Sequence, residues 1–390
     1  MQKVQLKDIL YLQNGYAFKS NCFNQENIGM PLIRISNIRE NLVRLNDLVW
    51  IRNENVPNKD FYVSKGDLLI AMSGATTGKM GVYKGGMDCL LNQRVGKFCI
   101  KENNEIHRDF VITVLLSGLI QDEIFASSAG GAQPNISSKT IEKISIPLPS
   151  LPEQKKIAKI LLEIDKSISL SSLKLKKIEM LINAFRSSIE DVPDYKIYSL
   201  QEIISEKTIG TIRRGSGSNK NISLIKMGDI SRGEIKYVDN ESIEYCIDLD
   251  HLILRKGDIL FNTRNTPELV GKTAIFSSSG SYIFDNNLML LRFKEVVLPS
   301  FLNQLMNSSR VLQKLFSISS GTTSVAAIYW NDLKKIKLKL PPLEIQEKIS
   351  ANIESLEKIK LKINNEIDIL KNLKMGISSD LFSGNKRVVL

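Results

Sequence analysis

Two glycine–lysine segments carry the residue types closest to a nucleotide-binding motif. The first, Gly74-Ala-Thr-Thr-Gly78-Lys79, has glycines that would let backbone N–H groups face a phosphate. It has one residue too few between the glycines, and Met80 stands where a Ser or Thr would hold Mg²⁺. The second, Gly271-Lys272-Thr273, ends correctly, but Thr266 occupies the place of the first glycine. Each segment suits either a tight structural turn or a loop offering a cation to phosphate, and neither predicts nucleotide binding.

Catalytic motifs are missing from the rest of the sequence. An adenine methyltransferase would carry an Asn- or Asp-Pro-Pro-aromatic tetrapeptide to hold a flipped base. The chain's Pro-Pro pair, Pro341-Pro342, is followed by Leu343 instead. The two histidines, His107 and His251, lie in unrelated contexts, so the sequence predicts neither a metal site nor a nucleophile–base pair.

Cysteine usage and hydropathy indicate a cytoplasmic protein. Cys22, Cys89, Cys99 and Cys246 form no Cys-x-x-Cys pair, so we expect free thiols in a reducing compartment. The amino terminus has no continuous apolar run of the signal-peptide kind, and the most apolar stretch, 110–120, is too short to span a bilayer. We therefore expect cytoplasmic localisation and no membrane partner.

Charge points to a polyanionic partner. The chain has 53 Lys and Arg against 42 Asp and Glu, a formal net charge of +11. This balance favours nucleic acid over membrane, and a solvated lysine-rich surface is the alternative interpretation.

Basic, amide and threonine side chains in predicted turns are the candidate DNA-binding residues, because Arg and Lys read guanine, Asn and Gln read adenine, and hydroxyl and amide groups position phosphates. In the first half they are Arg34, Asn37, Arg39, Thr76, Thr77, Lys79, Gln93, Arg94, Gln133 and Asn135. In the second half they are Arg213, Arg214, Lys226, Arg232, Asn262, Arg264, Asn265, Lys272, Thr322 and Thr323. For each, an ordinary solvated surface residue is the alternative, and the segments 213–217 and 262–265 are the strongest candidates.

An internal repeat must position these residues. In the first 150 residues, short β-type runs separated by Gly, Asn and Asp turns are followed by a helical segment at 108–125, and the same order returns from about 191 to 340. Pro31-Leu-Ile-Arg-Ile-Ser-Asn-Ile38 matches Ser223-Leu-Ile-Lys-Met-Gly-Asp-Ile230, and Lys65-Gly66-Asp67 matches Lys256-Gly257-Asp258. Each half is therefore predicted to be one α/β domain followed by one long helix.

Apolar residues at alternating four- and three-residue spacing predict two coiled-coil helices. The first seam consists of Ile157, Leu161, Ile164, Ile168, Leu175, Ile178, Ile182, Phe185 and Ile189. The second consists of Ile349, Ile353, Leu356, Ile363, Ile367, Leu370, Ile377 and Leu381. Ser171, Lys360 and Lys374 interrupt these seams. Polar seam residues commonly fix register, direct partner binding is the alternative, and an antiparallel register should bring them near one another.

The predicted fold class is α/β (α+β). Two globular domains in pseudo-twofold arrangement are separated by two long helices that form an antiparallel coiled coil. The predicted boundaries are 1-150 for the first domain, 151-190 for the central helix, 191-340 for the second domain, 341-384 for the distal helix and 385-390 for a C-terminal tail.

This organisation resembles the specificity (S) subunit of type I restriction-modification enzymes, the HsdS family. The residues that carry the likeness are Ile146-Pro-Leu-Pro-Ser-Leu-Pro-Glu-Gln-Lys-Lys-Ile157 and Leu340-Pro-Pro-Leu-Glu-Ile-Gln-Glu-Lys-Ile349. The repeated Lys-Gly-Asp segments and the terminal 381–388 are similar too. No single motif is specific, but the duplicated set in this order is.

The resemblance implies a non-catalytic DNA sequence-recognition subunit. Each domain would be a target recognition domain that reads one half of a bipartite site, and the coiled coil would set the spacer. Methyltransferase (M) and restriction (R) subunits would dock on the chain. S-adenosylmethionine, ATP and Mg would belong to those partners, with no cofactor in this chain.

Two alternatives stay open. The chain could be a coiled-coil protein-interaction scaffold that does not bind DNA. It could also be the recognition fragment of a fused restriction-methyltransferase enzyme.

Overall fold

The computed structural model describes residues 2–39, 41–101, 105–127, 135–215, 221–238, 240–322 and 324–388. The chain divides into two compact units. The first unit comprises Met1–Ser171 and Glu366–Leu390, and the second comprises Ser172–Asn365. Both divisions fall inside a long helix, so the first unit is assembled from the two ends of the sequence.

The strands of the first unit form two larger sheets and one pair in the described residues. The six-stranded sheet has the order Leu10–Asn14, Val95–Ile100, Leu68–Ala71, Met80–Val82, Asn41–Val43 and Ile38–Arg39. The five-stranded sheet has the order Phe23–Asn24, Val49–Ile51, Met30–Ile33, Cys89–Leu91 and Tyr62–Val63. Gln2–Gln5 pairs antiparallel with Ser145–Leu148. The domain's first strand is thus paired with the strand that precedes its long helix.

The second unit repeats this plan with shorter sheets over the residues described. One sheet has the order Ile204–Ile209, Leu288–Phe293, Ile259–Asn262 and Thr273–Ile275. A second has the order Glu241–Glu244, Asn221–Ile225 and Tyr282–Phe284. A third has the order Arg264–Asn265, Ala326–Ala327 and Ser320–Gly321. Lys196–Ser199 pairs antiparallel with Lys337–Leu340, as the corresponding strands do in the first unit.

Short helices occupy matching places in the two units. Those of the first unit are Leu6–Ile9, Arg108–Leu115, Gly118–Ala126 and Ser138–Glu142. Those of the second unit are Leu200–Ile203, Pro299–Met306, Ser309–Ser317 and Trp330–Leu333. The first long helix spans Leu151–Ser188 and the second spans Leu343–Ser383, against predicted limits of 151-190 and 341-384. The predicted mixed α/β class with two long helices is confirmed.

The central strand of each domain is apolar, except for Asn262 at the end of the second one, because both of its faces are buried. Successive strand residues point to opposite faces of a sheet. In Leu68–Ala71, Leu68 and Ile70 join the core that contains Ile157 and Leu161 of the first long helix. The alternate residues, Leu69 and Ala71, join a second core between the two sheets.

The same division holds in the second unit. Ile259 and Phe261 pack in a core with Ile182 and Ile353 of the two long helices. Leu260 lies in a separate core with residues of the neighbouring sheet. A continuous apolar run is therefore needed in both domains to attach the sheet to its helices and to the second sheet at once.

The repeated Lys-Gly-Asp segments form tight turns. Gly66 and Gly257 each have φ of +95°, a backbone conformation that side chains disfavour. The aspartate that follows each glycine accepts a hydrogen bond from the backbone N–H three residues earlier, from Ser64 at 2.9 Å and from Arg255 at 2.8 Å. These segments therefore have a structural role.

Polar contacts within the first unit establish that the long helices are antiparallel. Lys374 Nζ lies 2.6 and 2.8 Å from the two carboxylate oxygens of Asp165. Ser171 Oγ donates to Glu366 Oε1 at 2.9 Å. As the first long helix advances from Asp165 to Ser171, its contacts on the second recede toward that helix's start. The predicted antiparallel pairing is confirmed.

The polar seam residues bind other partners rather than one another. Ser171 and Lys374 each reach an acidic residue of the opposite helix, as above. Lys360 instead donates to Glu357 of its own helix at 3.2 Å. Within the first unit, Ser171 and Lys374 therefore contact acidic residues of the opposite helix and make no contact with each other.

Most of the predicted seam residues are buried or half-buried, and Phe185 is the exception. Its side chain is 41% exposed. The next residue, Arg186, lies inward, donating to Gln304 Oε1 at 2.8 Å and to Glu357 Oε1 at 3.0 Å. A straight α-helix drifts by about 20° per heptad against a strict seven-residue repeat. Over the four heptads from Ile157 to Phe185 the drift is about 80°, which is close to the rotation of about 100° between successive helix residues. The position that faces inward has therefore moved from 185 to 186.

The C-terminal residues pack onto the start of the first long helix. Arg387 makes a bidentate ion pair with Glu153, with contacts of 2.7 and 2.6 Å. Glu153 is 2% exposed. The ring of Phe382 lies 6.2 Å from that of Phe110, edge to face. These contacts attach the end of the described chain to the first domain.

None of the helices in the described part of the chain combines the length and apolar content that a bilayer crossing needs.

Candidate nucleic-acid interface

The two glycine–lysine segments are structural turns. Gly78 and Gly271 have φ of +80° and +78°. Their N–H groups donate to Ala71 O and Asn262 O at 2.8 and 2.9 Å, which closes each turn onto the preceding strand. Within the described ranges no group of three or more His, Cys, Asp and Glu side chains could hold a metal ion.

The lysines that follow these glycines differ between the units. Lys79 is exposed, so its charge is available to an anion. Lys272 is half-buried and donates to Ile230 O at 3.3 Å. Burial, followed by the nearby Arg232 and Lys236, lowers the pKa of Lys272. Only Lys79 has the placement expected of a phosphate contact.

Three predicted DNA-binding residues are buried, which corrects the prediction for them. Asn37 is 3% exposed, and its carboxamide accepts from Arg34 N at 2.9 Å and donates to Asn46 O at 3.1 Å. Thr77 is 5% exposed and donates to Gly74 O at 2.7 Å. Asn262 is fully buried. Asn and Thr are favoured at turns for their local hydrogen bonds, and the side chains of Asn37 and Thr77 are used in that way, whereas Asn262 donates to the distant Asn287 O at 3.4 Å.

A second group of predicted residues is at least partly exposed but has partners within its own unit. Arg34 donates to Asp47 O, Arg232 to Glu268 O, and Thr76 to Ile35 O. Arg213 pairs with Asp248 and Arg214 with Asp285, while Lys226 pairs with Glu241. Asn265 accepts from Thr266 N, and Thr322 contacts Ser324. An exposed ion pair such as Arg213–Asp248 is worth little and leaves its cation able to exchange partners, whereas Arg214 pairs with the buried Asp285.

A third group is exposed and makes no side-chain hydrogen bond or ion pair to any residue that the structure describes. It consists of Arg39, Lys79, Gln93, Arg94, Asn135 and Arg264. Gln133 and Thr323 lie outside the described residues. Free cations and amides on the surface are the side chains best able to contact DNA.

Three members of this free group meet in one cleft of the first unit, which we call the first cleft. It has a volume of about 530 Å³, and Gln93, Arg94 and Asn135 line it together with Asn14 and Ser73. Backbone pairing holds the cleft walls together, because Ser73 and Asn135 form an antiparallel bridge. Residues far apart in sequence thus present amides and a guanidinium to one space.

The second unit has a smaller cleft, of about 230 Å³, which we call the second cleft. Arg264, Asn286, Asn287, Tyr329 and Trp330 are among its lining residues. Tyr329 is 57% exposed. Antiparallel pairing of Arg264–Asn265 with Ala326–Ala327 joins its walls.

Sequence reasoning missed Asn14, Asn286, Asn287 and Tyr329. The repeat itself was the available signal, since Gln93-Arg94 and Asn286-Asn287 occupy the same place in their halves. Aligning the segments before Val95 and Leu288 would have paired them.

Comparison with known proteins agrees with this organisation. A family model described as "Type I restriction modification DNA specificity domain" matches residues 1–180 and again residues 192–371. The chain belongs to this family.

Curated relatives of this type I specificity protein cover most of its length. The type I restriction enzyme EcoBI specificity subunit of Escherichia coli is 26% identical over 98% of this chain and 85% of its own length. The EcoKI specificity subunit of Escherichia coli (strain K12) is 23% identical over 91% and 82%. The MjaVIII specificity subunit of Methanocaldococcus jannaschii is 24% identical over 88% and 84%.

Solved structures share the fold. The type I restriction-modification S subunit from M. genitalium matches with a TM-score of 0.61 at 13% identity, covering 98% of this chain and 96% of that one. A chain from a study of complex assembly and conformational transition of the type I R-M system matches with a TM-score of 0.58 at 18% identity, covering 98% and 97%.

The Leu-Pro-containing motif of this specificity protein attaches its first domain to its first long helix. Gln154 is fully buried. Its Oε1 accepts from His107 N at 2.8 Å, and its Nε2 donates to Glu105 O at 2.8 Å and Pro149 O at 2.9 Å. One side chain thereby joins the helix, the turn before it and the loop before Arg108–Leu115.

Gln346 makes the same three contacts in the second unit. It is also fully buried. Its Oε1 accepts from Leu298 N at 2.9 Å, and its Nε2 donates to Val296 O at 3.2 Å and Pro341 O at 2.9 Å. The glutamine of the motif is therefore a structural residue, whose role sequence reasoning did not identify.

Proposed function

We propose that this chain is the non-catalytic subunit that gives a type I restriction-modification complex its DNA sequence specificity. Each domain reads one half of a bipartite target. The long helices set the spacer between the halves and offer a surface to methyltransferase and restriction subunits.

The observation that carries the proposal is the duplication. Both copies of the family domain present a solvent-exposed cleft with a free cation and amides, and both are attached to the helix pair by the same buried glutamine. Two readers with different side chains on a common helical support fit a target made of two different half-sites. The excess of basic residues supplies the attraction to phosphate.

The chemistry of the complex belongs to its partners. Methyl transfer from S-adenosylmethionine and ATP-dependent, Mg-requiring cleavage are assigned to the methyltransferase and restriction subunits. This chain's share is to bind and orient the DNA. We place the protein in the cytoplasm, where its DNA and these partners would be, and its four unpaired cysteines suit a reducing compartment.

A mobility-shift assay tests the proposal. The purified chain, alone and with its methyltransferase subunit, is titrated with duplexes of random sequence at several salt concentrations. We expect retention of DNA, with an affinity that falls linearly in a logarithmic plot against salt concentration. Absence of DNA retention in every condition would favour the protein-interaction scaffold, and methylation by the chain alone would overturn the non-catalytic assignment.

A further inference from the structure

The floor of each cleft is a tight β-turn of the same geometry. In the first turn (Asn92–Val95), Val95 N donates to Asn92 O at 2.8 Å. In the second turn (Asp285–Leu288), Leu288 N donates to Asp285 O at 3.0 Å. The central positions hold Gln93 and Arg94 in the first turn and Asn286 and Asn287 in the second. Central turn residues project away from the strands on either side.

The backbone around the two turns is equivalent. Met72 N donates to Arg94 O at 2.9 Å, and Thr263 N donates to Asn287 O at 2.9 Å. The carbonyl groups of the same two residues are also bonded alike: Met72 O accepts from Ile136 N at 3.0 Å, and Thr263 O accepts from Ile328 N at 2.9 Å. The two clefts are therefore one structure built twice.

A glycine lets the first strand approach each turn closely. A Cβ on Gly15 would lie 2.2 Å from Asn92 O, and one on Gly210 would lie 2.3 Å from Asp285 O. Real Cβ atoms do not approach a carbonyl oxygen so closely. Both domains therefore require glycine there to hold the turn in place.

Side chains at equivalent positions differ although their backbone is shared. Gln93 corresponds to Asn286, and Ser73 corresponds to Arg264. Arg94 corresponds to Asn287, whose carboxamide contacts Asp285 at 3.4 Å. A common framework with variable, exposed side chains is the arrangement needed to read unlike sequences with one fold.

The chemistry of the free side chains suits base edges. Arginine makes bidentate contacts with guanine, and asparagine and glutamine make them with adenine. Gln93, Arg94, Asn286 and Arg264 are exposed and make no side-chain hydrogen bond to other residues in the described part of the chain. They thus have their full hydrogen-bonding capacity available for a ligand.

We propose that these two turns, with their clefts, are the base-reading sites of the two half-targets. Arg94 and Gln93 read a guanine and an adjacent adenine in one half. Arg264 and Asn286 read a guanine and an adjacent adenine in the other half. This inference rests on the proposed function and deepens it by assigning specificity to particular residues.

The test uses the full chain in complex with its methyltransferase subunit. A library of random duplexes is methylated, and sequencing of the methylated adenines returns both half-sites. The double variants are Gln93→Ala with Arg94→Ala, and Arg264→Ala with Asn286→Ala. Arg52→Ala and Arg255→Ala are matched controls, since both arginines are exposed and neither lines a cleft.

We expect each double variant to relax its own half-site at one or two base positions and to leave the other half-site unchanged. Discrimination at an affected position should fall about 10- to 100-fold, the range of one good bidentate contact. The controls should keep both half-sites.

Several outcomes would overturn the assignment. If Arg94→Ala weakens binding equally for all sequences, with its half-site unchanged, Arg94 contacts phosphate rather than a base. If both double variants methylate the wild-type target unchanged, the clefts do not read DNA, although the proposed function stands. If the wild-type complex shows no sequence preference, the proposed function itself fails.

A conservative variant covers the case in which an alanine variant does not fold. Arg94→Lys keeps the charge and the turn but loses the bidentate fork. We expect it to bind DNA with reduced discrimination at one base position. Unchanged discrimination would count against base reading by Arg94.

Discussion

The two turns differ most in the residue that anchors them. The first begins with Asn92, a neutral amide, and the second with Asp285, which is 2% exposed. Burial raises the pKa of Asp285, while its hydrogen bonds from Asn287 and the nearby Arg214 act in the opposite direction. Because the raised pKa belongs to the folded state, the ionised carboxylate costs stability as pH rises through that pKa.

Replacing Asp285 by asparagine removes this cost and reproduces the residue found in the first turn. We expect Asp285→Asn to raise the midpoint temperature of unfolding at pH 7. The gain should shrink as the pH falls, because the wild-type carboxyl then becomes protonated and neutral. Thermal unfolding followed by circular dichroism at pH 7 and pH 4.5 measures both effects.

Asp248→Asn is the control for this experiment, because the Asp248 side chain is 77% exposed. It should change the midpoint little at either pH. A lower midpoint for Asp285→Asn at pH 7 would mean that the ion pair with Arg214 outweighs the cost of burial.

The buried glutamines also act at the scale of single residues. Gln154→Leu leaves the His107 N–H and the Pro149 carbonyl without their carboxamide partner. Unsatisfied buried polar groups cost about 1–3 kcal/mol each, so we expect a loss of about 3 kcal/mol in the free energy of unfolding. Urea denaturation measures it.

Gln201→Leu provides the comparison for Gln154→Leu. Gln201 is exposed, and surface substitutions usually change stability by about 0.5 kcal/mol or less. Equal losses for the two variants would contradict a locking role for Gln154.

At the scale of elements, the drift of the heptad stripe gives a direct comparison on the first long helix. Ile182 is 2% exposed, whereas Phe185 is 41% exposed. Ile182→Ala should cost about 2–5 kcal/mol, the range for large-to-small core changes. Phe185→Ala should cost less than about 1 kcal/mol. Chemical denaturation of the two variants measures both losses in the free energy of unfolding. A larger loss for Phe185→Ala would show that Phe185 belongs to the seam.

Periodicity predicted the elements better than it predicted contacts. The heptad stripes and the strand–turn repeat depend on spacing within a few residues, so the long helices and the duplicated domains could be predicted. The burial of Asn262 and the partners of Arg186, Gln304 and Glu357, depend on residues far away in sequence. Predicting the clefts would have required both the local spacing and the distant contacts, because Gln93 and Asn135 meet only after a strand and two helices have been placed between them.

At the scale of the whole molecule, the spacer-setting role that we propose for the helix pair predicts that the accepted spacer depends on helix length. Removing the facing heptads 168–174 and 364–370 should shorten the accepted spacer, because each deletion removes about 10.5 Å of helix. The bases of both half-sites should not change. Sequencing of methylated adenines in a host that carries the variant gives both results.

Removing only one of these heptads is the control. It leaves facing seam positions mismatched and should destabilise the protein rather than alter the spacer. Changed half-site bases in the double deletion would argue against a ruler.

The first unit is assembled from two separate segments of the chain, and this determines the order in which the chain can fold. Met1–Ser171 leaves the ribosome before the second unit, but its partner segment, Glu366–Leu390, leaves after it. At 5–20 residues per second the wait is roughly 10–40 s. During that time the second unit, which is continuous in sequence, can close. Ile157 and Leu161 meanwhile lack the cover that Leu381 and Phe382 later give to their core. The first unit therefore begins to be synthesised before the second but can be completed only after it, and in the interval its uncovered core is exposed to aggregation and to chaperones.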